Sequence, residues 1–184
     1  MIFISWNCRG IQNSSCLRHS KEIMRVYKPD FFFLMEIRCN DVVVAQAFGR
    51  KLGFDSLAFE PSQGMAGGLV VYWRSGAPRV HLLVSSSQFL HLQITEGQVQ
   101  SIVTCVYVRP HAILKDAFWE QLQQMAVSIT DPWFVMGDFN DIALASEKSG
   151  GAAFAFNRAK KFTDRWDACR LSDLGASGTK FTWV

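Results

Sequence analysis

The sequence predicts a mixed α/β fold in which packed β-sheets carry helices on their outer faces. Segments of helical spacing lie near both ends of the chain, and residues 54–107 hold one β-rich segment after another. Helices that flank a run of consecutive strands are typical of packed sheets with helices outside. No repeat of about 20–50 residues is present, so a single domain over residues 1–184 is the simplest interpretation.

The first elements are two strands that each lead into a helix. The β-rich segment 2–6 opens the chain, and the continuous apolar run 31–36 predicts a fully buried strand. Residues recur at helical spacing over 16–27, and Pro29 predicts the end of that helix. The same spacing over 43–52 predicts a second helix.

The middle of the chain predicts consecutive strands. One of them, residues 89–95, alternates regularly, so we expect one face on the core and the other in water. The face expected in water holds Phe89, His91, Gln93 and Thr95. The β-rich segments are 54–59, 67–73, 79–85, 89–95 and 101–107.

The last third of the chain predicts two more helices and two strands. Apolar residues at spacings of four, three and four mark a helix over 118–129, and 159–169 reads as a second amphipathic helix. Between them, residues 133–137 predict a buried strand, and residues 180–184 predict a closing strand.

Composition narrows the class of protein. The chain has 184 residues, of which 49% are hydrophobic and 19% charged, as expected of a globular domain with a substantial core. The net charge of +3 neither requires nor opposes a polyanionic partner. The apolar runs fall short of the roughly 18 residues of a membrane span, and the N-terminus does not resemble a signal peptide. We therefore expect no membrane association.

The cysteines favour a reducing compartment. Five cysteines are spread along the chain without a Cys-x-x-Cys pair, which argues against a zinc site and against a disulfide scaffold. We therefore expect reduced thiols and an intracellular location, in the nucleus or cytoplasm. The four histidines have no metal-type spacing and are interpreted as structural or exposed.

Polar side chains collect where predicted strands end. Hard oxygen ligands suit Mg²⁺, which typically takes one or two protein carboxylates. One carboxylate such as Glu36 would then hold the metal, and a second such as Asp138 would orient and deprotonate a water. The amides would position the metal, the base or a phosphoryl oxygen, and the phenol and guanidinium would donate to a charged oxygen. The residues are Asn7, Glu36, Tyr107, Arg109, Asp138, Asn140 and Asp141.

Each of these residues also has a plainer interpretation. A lone glutamate after a strand, such as Glu36, is usually a solvated strand end. Asp138 and Asn140 fit an Asx-turn. Tyr107 fits a core or rim position, and Arg109 fits an ordinary loop.

The order and wording of the motifs resemble a known family. The chain is similar to the endonuclease/exonuclease/phosphatase superfamily, which includes DNase I, and most of all to the endonuclease domain of plant LINE-type non-LTR retrotransposons. The resemblance covers residues 2–184. The matching motifs, in order, are "SWNCRG", "FFFLMEIR", "MAGGLVVYW", "CVYVRP", "WFVMGDFNDI", "EKSGG" and "SDLGASGTKFTW".

The resemblance implies a fold, a metal and a reaction. The fold would be a four-layer α/β/β/α sandwich, and the reaction Mg²⁺- or Mn²⁺-assisted hydrolysis of a DNA phosphodiester. Glu36 matches the metal-binding glutamate and Asn7 the asparagine that orders the metal site. The other implied roles are activation of water for Asp138, transition-state binding for Asn140, phosphate contact for Tyr107, and nucleic-acid binding for Arg9 and Arg109.

The sequence departs from the family pattern at its C-terminal end. Family members continue past the "FTW" strand to an "SDH" motif, which this chain lacks. We therefore expect an incomplete second sheet, impaired catalysis, weak electrostatic DNA binding and self-association through an exposed sheet edge. The alternatives are a non-catalytic retroelement remnant and a phosphatase of the same superfamily. Side chains expected to be partly exposed at that edge are Phe134, Met136, Phe181 and Trp183.

Overall fold

The computed structural model describes residues 1–64, 66–76, 78–151 and 153–178. Eight strands, four α-helices and one short 3₁₀ helix at Ala145–Glu147 are present in these residues. The strands are β1 Phe3–Asn7, β2 Phe31–Met35, β3 Ser56–Glu60, β4 Leu69–Trp73, β5 Arg79–Ser86, β6 Phe89–Glu96, β7 Val99–Tyr107 and β8 Trp133–Asp138. The helices are α1 Ser14–Tyr27, α2 Val42–Lys51, α3 Ala112–Ser128 and α4 Phe156–Ala168.

The strands form two four-stranded sheets. The first has the order β1-β2-β4-β3, in which β1 and β2 are parallel and the other pairs are antiparallel. The second has the order β5-β6-β7-β8, in which only β7 and β8 are parallel. A parallel pair needs a long crossover connection, and α1 and α3 lie in the two crossovers of this chain.

Strand β2 shows why the first sheet is covered on both faces. Successive side chains of a strand point to opposite faces. Phe32 and Leu34 belong to a cluster with buried residues of α1 and α2. Phe31 and Phe33 belong to a second cluster, which contains buried residues of β6 and β7. The two sheets therefore pack face to face, and α1 and α2 cover the outer face of the first.

The chain divides into two compact units. The first comprises Met1–Tyr107 and Thr130–Asp138, and therefore holds both sheets with α1 and α2. The second comprises Val108–Ile129 and Phe139–Val184, and holds α3 and α4.

Aromatic rings form the centre of the second unit. Trp119 stacks on Phe139 at 5.7 Å between ring centroids, and Phe162 lies 5.6 Å from Phe139. Phe118 and Trp166 extend the same group. The side chain of Phe139, which follows β8, is thereby fixed between the two helices.

The predicted class, a mixed α/β fold with two sheets and helices, is confirmed, and so are the predicted helices. Five of the predicted strands follow one another in β3 to β7 as expected. The predicted closing strand at 180–184, with Phe181 and Trp183, lies outside the described residues. None of the helices in the described ranges is long and apolar enough to cross a membrane.

One prediction about a strand face was wrong. His91 and Phe89 of β6, expected in water, are only 4% and 2% exposed. The polar group is tolerated because His91 Nδ1 lies 2.8 Å from Thr104 Oγ1, which also accepts a hydrogen bond from Trp133 Nε1. Strand β8 pairs with β7 on one side within the described residues, and the predicted closing strand 180–184 lies outside them. Phe134 of β8 is 50% exposed.

Candidate active site

Four of the predicted site residues lie at the carboxyl ends of strands in the first unit. Asn7 is the last residue of β1, and Glu36 directly follows β2. Tyr107 and Asp138 are the last residues of β7 and β8 and are partners in the register of that parallel pair. Parallel strands place their carboxyl ends at the same edge of a sheet, which is where ligands bind in many α/β folds.

The carboxylate of Glu36 is the centre of this group. Its Oε1 accepts a hydrogen bond from Asn7 Nδ2 at 2.8 Å and another from the Tyr107 hydroxyl at 2.7 Å. Its Oε2 lies 3.4 Å from a guanidinium nitrogen of Arg38. The side chain of Glu36 is 18% exposed. Asn7, Glu36 and Tyr107, which are far apart in sequence, are therefore in direct contact.

These donors keep Glu36 ionised. Burial alone would raise the pKa of the carboxyl group. The hydrogen bonds from Asn7 and Tyr107, with a smaller contribution from Arg38, outweigh burial and hold the pKa of Glu36 below its usual value. A carboxylate that stays charged is the form that binds a cation.

The backbone around Glu36 is held in an uncommon conformation. Glu36 and Arg38 have φ values of 54° and 50°, in the left-handed region that non-glycine residues rarely adopt. The residue between them, Ile37, is fully buried, and its N–H donates to the carbonyl of Gly68 at 3.2 Å. A Cβ on Gly68 would lie 2.7 Å from Ile37 Cγ1, so only glycine fits there. The Gly-Gly motif before β4 thus shapes the loop that presents Glu36.

An unsatisfied oxygen lies beside Glu36. The Oδ1 atom of Asn7 is buried and has no hydrogen-bond partner. Buried polar atoms are nearly always paired, so an unpaired one needs an explanation. A hard cation bound by Asn7 Oδ1 and the Glu36 carboxylate would satisfy it, and an amide oxygen with one carboxylate is a typical partial ligand set for Mg²⁺. The residues present therefore fit a magnesium ion.

Glu36 is not part of a larger cluster of metal-ligating side chains in the described residues. In the described part of the chain, no group of three or more His, Cys, Asp or Glu residues could hold a metal. The five cysteines are free and buried. This arrangement is compatible with Mg²⁺, which keeps several water molecules and binds substrate phosphates.

A close backbone approach positions Asp138. Gly137 pairs with Val106 in the register of β7 and β8 and has a φ of 137°. A Cβ at this position would lie 2.0 Å from the carbonyl oxygen of Val106. Glycine is therefore required before Asp138 for close packing of β8 against β7.

In the second unit, a buried ion cluster holds the loop after β8. Lys115 of α3 donates to Asp141 Oδ2 at 2.6 Å and to the carbonyl of Asn140 at 2.9 Å. Arg158 of α4 pairs with the other oxygen of Asp141 and donates to the same carbonyl at 2.5 Å. The side chains of Lys115 and Asp141 are 7% and 3% exposed.

Asn140 is fixed by these contacts and by its own side chain. Its φ is 49°, and its Nδ2 donates to the carbonyl of Val108 at 2.8 Å. The Asx-turn interpretation of this loop therefore describes only part of it, since the loop is held mainly by long-range partners.

The predicted nucleic-acid contacts lie on loops. Arg9 follows β1, is exposed and has a φ of 51°, and Arg109 follows β7. The basic stretch at 158–165 is largely neutralised by carboxylates. Its basic side chains form the ion pairs Arg158–Asp141, Lys160–Asp164, Lys161–Asp116 and Arg165–Asp116.

Sequence reasoning missed Arg38 and Lys115. Arg38 lies only two residues after Glu36, and its contact with the Glu36 carboxylate depends on the left-handed turn between them. Lys115 could have been found, because it shares the helical spacing of the buried residues Phe118, Trp119 and Leu122. A lysine at a core position of a helix indicates a buried partner.

The sequence model of one protein family matches almost the whole chain. It is the Endonuclease/Exonuclease/phosphatase family, and the match spans residues 4–183. No curated protein matches the chain by sequence.

Several solved structures share the fold at low identity. An AP endonuclease from Leishmania major has a TM-score of 0.69 and 15% identity over 91% of this chain and 66% of that one. An AP endonuclease from Archaeoglobus fulgidus has a TM-score of 0.67 and 14% identity over 91% and 70%. The 3′ phosphatase NExo from Neisseria, bound to a product DNA hairpin, has a TM-score of 0.67 and 15% identity over 91% and 71%. This chain thus spans about two thirds of their length.

Proposed function

Because the chain belongs to the Endonuclease/Exonuclease/phosphatase family, we propose that it is a Mg²⁺- or Mn²⁺-dependent phosphodiesterase domain that acts on DNA. The observation that carries this proposal is the pair of Glu36 and Asn7. The Glu36 carboxylate is held ionised by two donors, beside the buried and unpaired Asn7 Oδ1. A cation is the ligand that both oxygens would accept.

The metal would be held by Glu36 and Asn7 Oδ1. When bound, a divalent ion acts as a Lewis acid on a phosphoryl oxygen and offsets the charge that develops there. Asn7 Nδ2 and the Tyr107 hydroxyl keep the Glu36 carboxylate in place, so that it is pre-organised before the ion arrives.

The other polar residues would supply the chemistry of hydrolysis. Asp138 would accept a proton from the attacking water, whose oxygen forms a bond to phosphorus while the bond to the leaving oxygen breaks. Asn140 and Tyr107 would donate hydrogen bonds to the charged oxygens of the transition state. Arg9 and Arg109 would contact the phosphate backbone, which positions the strand without reading its sequence.

DNA as the substrate rests on relatives of the same fold. Two of the similar structures are AP endonucleases, and the NExo structure contains a DNA hairpin. Binding by this chain would be weak and salt-sensitive, because the net charge is +3 and the bases of α4 are already paired. The amino-acid sequences of the motifs support an origin in a plant LINE-type retrotransposon. The five free cysteines support a nuclear or cytoplasmic location.

The same observations are compatible with two alternative functions. A non-catalytic retroelement remnant would bind nucleic acid weakly and cleave nothing. A phosphatase would use the same metal and base on a terminal phosphate, and one structure of similar fold is named a 3′ phosphatase.

Metal binding and plasmid nicking test the proposal. Calorimetric titration with Mg²⁺ or Mn²⁺ should give an affinity that falls in Glu36→Gln and stays unchanged in Glu22→Gln, an exposed glutamate of α1. Equal affinity of wild type and Glu36→Gln would exclude Glu36 as a ligand. Nicking that is lost in Asp138→Ala supports the phosphodiesterase, whereas metal binding without nicking supports the non-catalytic alternative.

A further inference from the structure

Arg38 forms an ion pair with the proposed metal ligand, Glu36. One of its guanidinium nitrogens lies 3.4 Å from Glu36 Oε2, the oxygen that Asn7 and Tyr107 leave to it. The pair comes from residues two apart in sequence, and both have positive φ. The loop is thus built so that a positive charge faces the carboxylate that would bind a metal.

Arg38 is held loosely by comparison with another arginine of the same unit. Arg25 of α1 makes two hydrogen bonds to Glu22, at 2.9 and 2.6 Å. Arg38 makes one contact to Glu36 at 3.4 Å, and its side chain is 40% exposed. A single long contact costs little to break, whereas the backbone below it is fixed by the bond from Arg38 N to the carbonyl of Gly67 at 3.0 Å.

We propose that Arg38 is a competing cation of the metal site, which leaves Glu36 when a divalent ion binds and then contacts a phosphate oxygen of the nucleic-acid strand. Two positive charges on one carboxylate repel each other, so metal binding favours the released arginine. A guanidinium presents several N–H donors in a plane that matches phosphate oxygens. This inference rests on the proposed function, because it takes Glu36 as the metal ligand.

The consequence is that Arg38 would weaken metal binding and strengthen metal-dependent DNA binding. Removing an interaction of a partly exposed charge pair changes affinity by about two- to five-fold. Removing one phosphate contact lowers the slope of log affinity against log salt by about 0.9 on duplex DNA. The two effects have opposite signs, which a general loss of folding would not produce.

The first experiment is calorimetric titration with Mg²⁺ alone. Arg38→Gln should bind Mg²⁺ about two- to five-fold more tightly than wild type. Arg38→Lys, which keeps the charge, should bind Mg²⁺ like wild type, and so should the matched control Arg25→Gln. In a Glu36→Gln background, Arg38→Gln should have no further effect, because the carboxylate that both cations share is gone. Circular dichroism checks the fold of each variant.

The second experiment measures binding of a labelled duplex oligonucleotide. With Mg²⁺ present, Arg38→Gln should bind more weakly and with a smaller salt slope. With EDTA, the difference from wild type should shrink, because Arg38 then stays on Glu36.

The outcomes separate the two proposals. If Glu36→Gln leaves Mg²⁺ affinity unchanged, the proposed function fails. If Glu36→Gln weakens Mg²⁺ binding but Arg38→Gln does not tighten it, Arg38 is not a competitor. Tighter binding in Arg38→Lys as well would also overturn the inference, since charge would not be the cause. If Arg38→Gln does not fold, the oligonucleotide measurement is made on Arg38→Lys instead. A loss of DNA binding in Arg38→Lys that is independent of Mg²⁺ would contradict the exchange of partners.

Discussion

The ionisation of Glu36 depends on side chains from two other strands. Asn7 ends β1 and Tyr107 ends β7, and each donates to the same oxygen of Glu36. Hydrogen bonds to a charged carboxylate favour the charged form, which here outweighs the effect of burial. The carboxylate is therefore linked to both sheets of the first unit.

Removing the Tyr107 hydroxyl should raise the pKa of Glu36. In Tyr107→Phe one donor is lost while burial remains, so the balance moves towards the protonated form. Titration of the side-chain carboxyl by ¹³C NMR measures this shift. Tyr27→Phe, at an exposed position at the end of α1, is the control and should leave the pKa of Glu36 unchanged. An unchanged pKa in Tyr107→Phe would show that the hydroxyl does not bind Glu36 in solution.

The same interaction should appear in the pH dependence of stability. The pKa of Glu36 is below its unfolded value of 4.5, so its contribution is complete above pH 4.5 and is lost as the pH falls through the folded-state value. The free energy of unfolding of Tyr107→Phe should differ most from wild type above pH 4.5, and the difference should shrink at lower pH. Urea unfolding of wild type and Tyr107→Phe, above and below pH 4.5, measures this difference.

At the scale of elements, the end of β8 depends on glycine. Gly137→Ala would place a Cβ 2.0 Å from the carbonyl oxygen of Val106, so β7 and β8 would have to separate. Gly97→Ala is the matched control, because Gly97 also has a positive φ, of 62°, but no atom within 4 Å of its Cβ position. Conformational strain in the control should cost about 1–2 kcal/mol. The collision should cost Gly137→Ala about 1–3 kcal/mol more in the free energy of unfolding. Equal losses would mean that backbone strain alone explains this glycine.

The ion cluster between α3 and α4 should be strongly coupled. Lys115→Met leaves the buried Asp141 carboxylate with Arg158 alone, and breaking a buried pair typically costs about 3–5 kcal/mol. The double variant Lys115→Met with Asp141→Leu removes both buried charges and should lose less than Lys115→Met alone. Lys160→Met, from an exposed pair of α4, should change the free energy of unfolding by no more than about 1 kcal/mol. A double variant that is the least stable would contradict this picture.

Elements with one strong pattern were predictable from the sequence, and features that depend on distant partners were not. The continuous apolar run of β2 and the helical spacing of α4 predicted buried and amphipathic elements correctly. The alternation of β6 predicted a polar face, but Thr104 on the neighbouring strand satisfies His91 within the protein. That contact is set by the register of β6 with its neighbouring strand. The alternation of residues along β6 alone does not reveal this register.

In the candidate site, too, the residue types were predictable from the sequence and some of their contacts were not. Each residue type at a strand end was visible in the sequence, and Glu36 with Asn7 and Tyr107 is brought together by the packing of the two sheets. The roles of these residues remain predictions. The contacts of Arg38 and Lys115 were invisible, because they depend on a left-handed turn in one case and on a buried carboxylate in the other.

At the scale of the whole molecule, both outer strands of the second sheet carry apolar side chains in water. Phe134 of β8 is 50% exposed, and Leu82, Leu83 and Val84 of β5 are 45–46% exposed. Within the described residues, no strand pairs with the outer side of β5 or β8. Outer strands offer unpaired N–H and C=O groups to other chains, and apolar side chains beside them add a hydrophobic driving force.

We therefore expect the chain to self-associate through an edge of this sheet. Phe134→Ser should reduce the oligomer fraction if β8 is the contact, whereas Leu82→Ser should reduce it if β5 is. Val127→Ser removes an apolar side chain that is 84% exposed on a helix, α3, instead of on a strand, and should leave the oligomer fraction unchanged. Sedimentation velocity over a range of protein concentrations measures that fraction, because association at an edge must increase with concentration. A wild-type chain that stays a monodisperse monomer across the range would contradict association through either edge.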